Sequence, residues 1–353
     1  MTMFLTIAVI VLIFIVIFQI AKASEYVSVL KGEETSRRQN NKINGFLMIT
    51  FLVLGMIGVW YCNKILLPKT LLAVDSASVE GARVDSMLWI TIAVTGIVFI
   101  ATQAVLFWFA YKYQDSDRKV FYFPHNNKLE VLWTIVPAIV LTVLVVIGLR
   151  NWFLFTGEPP KTAMVVEVTG KQFSWIFRYP GKDGAFGKKY FKNIDDAAQN
   201  SLGLLWDDPL GHDDVVEPDK LVLIKGKPVK LIIGSRDVIH DVGLSHFRMK
   251  MDAVPGIPTT LWFTPKYTTK EMKELTGNPN FVYEISCDQM CGNNHFSMRG
   301  IIDVVDQEEY DVWMAKQKPT YLVTHPELDP EKKKTDSTKM AVKPDSAKTV
   351  AKL

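Results

Sequence analysis

Residues 287–298 of this 353-residue chain read CDQMCGNNHFSM and carry the strongest chemical signal in its sequence. The two cysteines, the histidine and the last methionine stand four, four and three positions apart. Thiolate, imidazole and thioether groups are soft to intermediate ligands that suit copper, whereas structural zinc sites seldom use methionine. The spacing therefore predicts a copper-binding loop built on Cys287, Cys291, His295 and Met298.

The second cysteine distinguishes two kinds of copper site. One cysteine with histidine and a weak methionine ligand would indicate a mononuclear centre, while two thiolates can bridge two metal ions. A disulfide between Cys287 and Cys291 is the structural alternative, but it leaves His295 and Met298 without a role. A dinuclear site needs a further imidazole. His240 stands at the end of a predicted strand and can supply it, although alone it could equally be an ordinary core or surface histidine.

The polar half of the chain predicts an all-β domain over residues 162–315. Short runs rich in Val, Ile, Phe and Trp, separated by Gly and Pro turns, predict strands. These runs are 165–168, 173–179, 221–224, 229–233, 260–264, 281–285 and 300–305. Several short strands with little helix favour a β-sandwich or barrel. Residues 181–220 indicate an insertion of weak periodicity, and residues 316–353 a disordered charged tail.

Four apolar segments, 4–20, 46–61, 87–110 and 131–155, predict a helical membrane anchor of four spans. Ala-Lys-Ala at 21–23 resembles a leader-peptide cleavage site, but no Lys or Arg precedes the first apolar run as a leader would require. We therefore expect residues 1–66 to hold extra N-terminal membrane segments with a cytoplasmic loop. The last two spans, within 87–155, should form a helical hairpin.

Basic residues predict the orientation of the spans, because cytoplasmic loops are enriched in Lys and Arg. They follow the first and third segments: Lys22, Lys31, Arg37, Arg38, Lys42, Lys112, Arg118, Lys119 and Lys128. Lys64, Lys69 and Arg83 in the outer loop weaken the contrast, so the parity of four spans counts equally. We expect a multi-pass protein of a bacterial cytoplasmic membrane with the β domain on the periplasmic side. The net charge of +3 is too small and too mixed for nucleic-acid binding.

Glu130 stands at the cytoplasmic start of the fourth segment. An ionisable group at this place can mark a proton route. The alternative is a capping-box-like pair with Asn127, which would simply start the helix and which the residues alone favour.

From about Met87 to Val305 the sequence resembles subunit II of cytochrome c oxidase. Besides the copper loop, the resemblance rests on EVLWTIVP at 130–137, GKQ at 170–172 with Trp175, SRDVIH at 235–240 and KMDAVPG at 250–256. It implies a cupredoxin fold with a dinuclear copper A centre. That centre would accept electrons from a cytochrome c, or from a heme-bearing subunit of a larger assembly. It would pass them to oxidase subunit I for oxygen reduction coupled to proton translocation, so the enzyme would be a cytochrome-c oxidase.

The resemblance also implies roles for individual residues. Cys287 and Cys291 would bridge both copper ions. One ion would add His240 and Met298, and the other His295 and the main-chain carbonyl of Gln289. The residues themselves, apart from the resemblance, predict that Met290 packs and is not a ligand, since its neighbours supply enough donors. Glu130 matches a glutamate near the entry of a proton pathway into subunit I, which favours the pathway over the helix cap.

Two positions depart from the family pattern. Gln289 stands where the family commonly has a glutamate that helps hold magnesium at the contact with subunit I. A neutral amide oxygen is a poorer ligand for a hard cation, so we expect that site to be weak, empty or rebuilt. Phe173 stands where the family has the tryptophan that receives the electron. Phe173 and Trp175 are therefore candidates for electron entry, with core packing the alternative for Phe173.

The insertion adds a candidate docking charge. Its acidic residues could steer a basic cytochrome, although a solvated loop is the simpler interpretation. They are Asp195, Asp196, Asp207, Asp208, Asp213 and Asp214.

Two rival functions are weaker. Nitrous oxide reductase has a copper A loop of similar spacing, but this chain has no room for its propeller domain beside the spans. A copper chaperone or membrane-tethered electron carrier remains, and co-purification of a heme-bearing subunit would distinguish it. The sequence contains no Cys-x-x-Cys-His, so no covalently attached heme is expected on this chain.

Overall fold

The computed structural model describes residues 2–114, 121–218 and 220–329. The chain forms two compact units, one from residues 1–73 and 88–142 and the other from residues 74–87 and 143–353. Arg118 and Lys119 of the predicted cytoplasmic loop, and residues 330–353 of the predicted tail, lie outside the described residues.

The N-terminal segments form two long helices, α1 (Thr2–Lys31) and α2 (Glu33–Leu66). Between them only Gly32 is non-helical, and its φ of 84° is readily adopted by glycine. Asn40 Nδ2 donates to Ser24 Oγ at 3.0 Å and joins the two helices. The expected loop after the first span, up to residue 42, is therefore wrong. Its Glu, Arg, Lys and Gln residues are good helix formers and simply extend both helices beyond the apolar segments.

Helices α3 (Gly81–Lys112) and α4 (Asn127–Thr156) are the third and fourth long apolar helices. All four helices are long and apolar enough to cross a membrane by length and composition, which confirms the predicted anchor. Short 3₁₀ turns at Leu67–Lys69 and Leu71–Ala73 follow α2. In the first unit the rings of Phe51 and Phe107 lie 5.9 Å apart and join α2 to α3.

Helix α4 begins with a cap at Asn126, one residue before the predicted Asn127. Asn126 Oδ1 accepts from the Leu129 N–H at 3.1 Å, and Glu130 Oε1 accepts from the Asn126 N–H at 3.3 Å. The cap prediction was thus correct in kind and wrong in residue. Glu130 has a structural role at the helix start whatever else it does.

The second unit contains a β-sandwich of two five-stranded sheets, which decides between sandwich and barrel. The strand orders are β3-β2-β1-β5-β8 and β4-β10-β9-β6-β7. The strands are β1 (Met164–Lys171), β2 (Ser174–Tyr179), β3 (Val215–Pro218), β4 (Lys220–Ile224), β5 (Val229–Ser235), β6 (His240–Leu244), β7 (Met249–Ala253), β8 (Thr259–Phe263), β9 (Tyr283–Cys287) and β10 (Arg299–Val305). All seven predicted strands are confirmed. Strands β3, β6 and β7 were not predicted, because their short runs are interrupted by charged or glycine residues.

The core lies between the two sheets and is built from alternate residues of their strands. Val166, Val168, Leu231 and Ile233 of β1 and β5 are fully buried, as is Ile285 of β9. Each such side chain stabilises the fold by about 1.5–3 kcal/mol relative to exposure. The core extends to Cys287, Cys291 and Met298, so the copper loop is anchored in it.

Helices α5 (Thr269–Thr276), α6 (Gln307–Lys316) and α7 (Thr320–Thr324) flank the sandwich. The predicted disorder from residue 316 onward is wrong as far as residue 329. The ring of Tyr321 stacks on His212 of the insertion at 3.9 Å, and the Thr320 N–H donates to the Asp214 carbonyl at 2.8 Å. The apolar residues at 321–323 interrupt the polar composition and dock this segment on the insertion.

The segment at residues 74–80, before α3, also belongs to the sandwich and was not predicted to. The Val79 N–H donates to the Thr264 carbonyl at 3.0 Å, and the Thr264 N–H donates to Glu80 Oε2 at 2.7 Å. Ser78 Oγ donates to the Phe247 carbonyl at 2.7 Å. We call residues 74–80 the outer strap.

Candidate metal centre

The predicted ligands converge because two neighbouring strands end beside one another. β6 begins at His240 and pairs antiparallel with β9, which ends at Cys287, with Val242 opposite Cys287. The loop from 288 to 298 then returns to β10, with the Cys287 N–H donating to the Met298 carbonyl at 3.1 Å. The sheet thus brings a residue 47 positions distant onto the cysteine loop.

The six predicted ligands come together, with the donor atoms of four of them around the two cysteine thiols. The sulfurs of Cys287 and Cys291 are 3.7 Å apart. Around them lie His240 Nδ1 (3.7 Å) and the Gln289 carbonyl oxygen (3.1 Å) from Cys287 Sγ, and His295 Nδ1 (3.7 Å) and Met298 Sδ (3.8 Å) from Cys291 Sγ. Among the His, Cys, Asp and Glu side chains of the described residues, those of His240, Cys287 and Cys291 lie close enough together to hold a metal ion. All three residues are buried. Both cysteines are free thiols, which excludes the disulfide in this structure.

The donor set fits a dinuclear copper centre. Two adjacent thiols, two imidazoles, a thioether and a carbonyl exceed what one four-coordinate ion would use. The site is nearly dry, since His240 is 0% exposed, Met298 1%, Cys291 4% and Cys287 7%. Burial, reinforced by the neighbouring Cys287 thiol, raises the pKa of Cys291 to about 11. The metal-free thiol is therefore protonated at neutral pH, and a bound metal ion would displace that proton.

Asp237 orients His240. Its Oδ1 lies 2.7 Å from His240 Nε2, and its Oδ2 accepts from the Gln172 N–H at 2.7 Å. Burial alone would raise the pKa of Asp237, but its hydrogen bonds with Gln172, His240 and Val238 lower the pKa overall. The ionised carboxylate favours the tautomer with hydrogen on Nε2, which leaves Nδ1 free to face Cys287. Sequence reasoning quoted Asp237 within a motif but gave it no role.

A second charged group supports the same strand end. Lys250 Nζ lies 2.9 Å from Asp241 Oδ2 and 3.8 Å from Asp288 Oδ2. Burial raises the pKa of Asp241, and the hydrogen bond from Lys250 opposes that rise. Ser286 Oγ donates to Asp288 Oδ1 at 2.9 Å. The start of the loop is thus held at the residues that flank His240 and Cys287.

The two candidates for electron entry differ in exposure. Trp175 is fully buried, and its ring centroid lies 6.1 Å from that of His240. Phe173 is half-buried and lies in the turn between β1 and β2, not on the predicted strand, after a cis peptide bond from Gln172. A Cβ added to Gly292 would lie 3.0 Å from Phe173 Cε1, so this ring rests against the copper loop.

Several loop side chains face outward instead of inward. Met290 is 76% exposed, so its interpretation as a packing residue was wrong. Phe296 is 77% exposed and was not singled out by sequence, although it stands next to His295. The Gln289 side chain is also exposed, while its carbonyl oxygen points at Cys287.

The acidic residues of the insertion serve mostly internal contacts. Asp196 forms an ion pair with Arg236 at 2.8 Å, and hydrogen bonds from Arg236 and Ser201 lower its pKa. Asp214 pairs with the buried Arg178. Asp195, Asp208 and Asp213 accept hydrogen bonds from backbone N–H groups of the insertion. These contacts favour a structural role over steering of a basic cytochrome.

Two family models match this chain, one in the β domain and one in the membrane half. The family model described as cytochrome C oxidase subunit II, periplasmic domain, matches residues 164–305, and the model of the transmembrane domain matches residues 71–150. Helices α1 and α2 lie outside both matches.

Two sequence relatives carry the name of the same subunit. An alternative cytochrome c oxidase subunit 2 of Bradyrhizobium diazoefficiens is 35% identical over 67% of this chain and 80% of its own length. A probable cytochrome c oxidase subunit 2 of Rickettsia felis is 28% identical over 56% of each chain, so this chain spans just over half of that relative. The periplasmic domain of cytochrome oxidase subunit II from Bradyrhizobium japonicum aligns with a TM-score of 0.31 and 24% identity, covering 46% of this chain and 98% of that domain.

Proposed function

Because this chain belongs to the cytochrome c oxidase subunit II family, and so serves a heme-copper terminal oxidase in electron transfer, we propose that it holds a dinuclear copper A centre. One observation carries the proposal. Five donor atoms, from His240, Gln289, His295, Met298 and the second cysteine, lie within 3.8 Å of a cysteine sulfur at a buried strand end.

The chain's own residues prepare this centre for fast electron transfer. A pair of copper ions held by Cys287, Cys291 and the neighbouring donors would accept and pass on one electron at a time. Asp237 fixes the ring of His240, and the strand ends fix Cys287 and Met298. Burial of His240, Cys287, Cys291 and Met298 keeps water away from these four donors. A site held this rigidly needs little rearrangement between redox states.

In this proposal the electron donor docks at the turn that carries Phe173 and not at the buried Trp175, and the Phe173 ring is a contact surface, not an obligatory electron path. Phe173 is the candidate with surface exposure, and its ring lies against Gly292 of the copper loop. The donor is a cytochrome c or a heme-bearing subunit of a larger respiratory assembly, and the acceptor is oxidase subunit I. Internal pairing of Asp196 and Asp214 argues that the insertion does not provide the docking charge.

The membrane half anchors the copper domain to the other oxidase subunits. We place the chain in a bacterial cytoplasmic membrane with both termini and the copper domain on the periplasmic side. Basic residues cluster near the turn between α1 and α2, at the end of α3 and at the start of α4. Glu130 then lies at the cytoplasmic start of α4, near a proton-pathway entry. Its carboxylate is tied to the Asn126 N–H, which fixes its position at that entry.

The magnesium site of the family is weak or empty here. The Gln289 side chain is exposed and offers a neutral amide oxygen where a carboxylate would attract a hard cation. The carbonyl oxygen of Gln289 belongs to the backbone, so its place near Cys287 does not depend on the side chain.

Copper loading of the full-length chain in detergent tests the proposal. Two copper ions per chain and a copper signal from one electron shared by both ions are expected. Cys287→Ser and Cys291→Ser should each abolish the shared signal, because each removes a bridging sulfur. Cys62→Ser is the matched control, since Cys62 is an exposed thiol of α2. A single-copper signal from the wild-type chain, or a shared signal surviving both loop substitutions, would refute the assignment.

A further inference from the structure

Gln172 contacts both halves of the copper site. It lies in the turn between β1 and β2, and its side-chain Nε2 donates to the Cys291 carbonyl at 2.6 Å. Its backbone N–H donates to Asp237 Oδ2 at 2.7 Å. The first contact spans 119 positions of sequence and the second 65. One residue thus joins the cysteine loop to the carboxylate that orients His240.

Two glycines bring the turn close enough for these contacts. A Cβ added to Gly170 would lie 2.8 Å from His240 Cδ2, and one added to Gly292 would lie 2.9 Å from Gln172 Nε2. Both distances are too short for a real side chain. The turn between β1 and β2 is therefore packed directly against the histidine on one side and the cysteine loop on the other.

The strand that carries the turn is itself fixed. β1 pairs in parallel with β5, with Gly170 opposite Ser235, and the Arg236 N–H donates to the Gly170 carbonyl at 3.1 Å. Asp237 follows directly after this pairing. A shift of Gln172 would therefore move the carboxylate partner of His240 together with the carbonyl partner on Cys291.

We propose that Gln172 is a positioning residue that fixes Cys291 relative to His240. The inference rests on the proposed copper centre and gives it a further determinant outside the ligand set. Without the side-chain amide, the Cys291 carbonyl loses its donor and the turn loses its hydrogen bond to the cysteine loop. The Asp237–His240 pair then loses its fixed distance from Cys291. The exposed position of Gln172 would otherwise suggest an ordinary surface amide.

The test compares Gln172→Ala and Gln172→Met in the full-length chain. Methionine keeps the length of glutamine but cannot donate, so it separates the hydrogen bond from the loss of bulk. Gln307→Ala is the matched control, because it removes another exposed amide hydrogen bond, 2.8 Å to Asp311 within α6, outside the copper loop. Copper release to a chelator, the copper magnetic-resonance spectrum and hydrogen exchange of the copper-free chain are measured.

Both Gln172 variants should bind two copper ions but release them about tenfold faster, as is typical when a partner of a ligand is lost. Their copper hyperfine pattern should change, and exchange should accelerate at residues 287–298 and at residues 237–241. Gln307→Ala should match the wild type. Variants equal to wild type, or faster exchange at 287–298 alone, would overturn the positioning role and leave the copper centre standing. Failure of the wild-type chain to bind copper would overturn the proposed function, and this inference with it.

Discussion

The exposed Asp237 and the buried His240 form a carboxylate–imidazole pair in which Oδ1 lies 2.7 Å from Nε2. Because Nε2 of His240 is bound to this carboxylate, Nδ1 is the ring nitrogen that faces the thiols. Asp237→Ala should therefore weaken copper retention by about 10–100-fold, the usual cost of removing a ligand's hydrogen-bond partner. Copper retained by the purified chain during dialysis against a chelator measures the effect. Asp207→Ala is the control, as an exposed aspartate of the insertion. Equal retention in both variants would show that Asp237 does not hold the histidine.

Phe173→Ala should slow reduction of the copper centre by its physiological donor only modestly and leave the copper spectrum unchanged. Phenylalanine offers an apolar contact surface but no polar ring edge for the electron path. Stopped-flow reduction of the purified oxidase is the measurement, with Phe191→Ala, an exposed ring of the insertion, as control. A loss of several hundredfold with copper still bound would mean that Phe173 is an obligatory gate.

Gln289→Glu should create or strengthen a magnesium site without disturbing the copper signal. The carboxylate adds a charged oxygen ligand at an exposed side chain, while the carbonyl near Cys287 is unchanged. Manganese can replace magnesium in the intact oxidase and be followed by magnetic resonance. Gln307→Glu adds the same charge elsewhere and should bind no manganese. Tight magnesium at the unaltered Gln289 side chain would contradict the prediction.

His246 should make the β domain less stable in mild acid. Burial, with a contribution from the charge of Arg248, lowers the pKa of His246. The unfolded chain therefore takes up this proton at a higher pH than the folded chain. Stability is lost as the pH falls through the unfolded pKa of about 6.5 and towards the folded value. The thermal midpoint of the full-length chain should fall between pH 7.5 and 5.5, and less so in His246→Phe. His125→Phe, an exposed histidine, should leave the fall unchanged. An identical fall in all three proteins would assign the effect to other groups.

The membrane orientation can be read from thiol labelling in intact cells that carry Cys62→Ser. A cysteine at Glu34, near the turn between α1 and α2, should be protected from a reagent confined to the outside. A cysteine at Asp207, in the insertion, should react. Position 119, outside the described residues, should also be protected. Outside labelling of position 34 or 119 would invalidate the four-span orientation.

Local chemistry was readable from sequence, whereas long-range pairing was not. The spacing of Cys287, Cys291, His295 and Met298 predicted one loop, and the structure does bring these side chains together. The roles of Gln172 and Asp237 depend on the parallel pairing of β1 with β5, which no local pattern reveals. Met290 was misread because a methionine among ligands looks apolar in sequence whether it faces the core or solvent.

The same limit explains the errors at the edges of domains. Polar composition suggested loops at 21–42 and a tail from 316. Residues 21–42 are helical apart from Gly32 because most of them are good helix formers. The segment at 320–324 is ordered because its three apolar residues at 321–323 dock on the insertion. Composition averages over a window, while docking depends on a few side chains that find a partner.

The outer strap gives the β domain an order of assembly during synthesis. Glu80 accepts its hydrogen bond from Thr264, which is synthesised 184 positions later. Ser78 donates to Phe247, which is 169 positions later. Contacts this distant in sequence form late, after most of the sandwich has been made. A soluble fragment cut at residue 162 would lack the strap altogether. It would leave the Thr264 N–H, directly after β8, without its carboxylate partner.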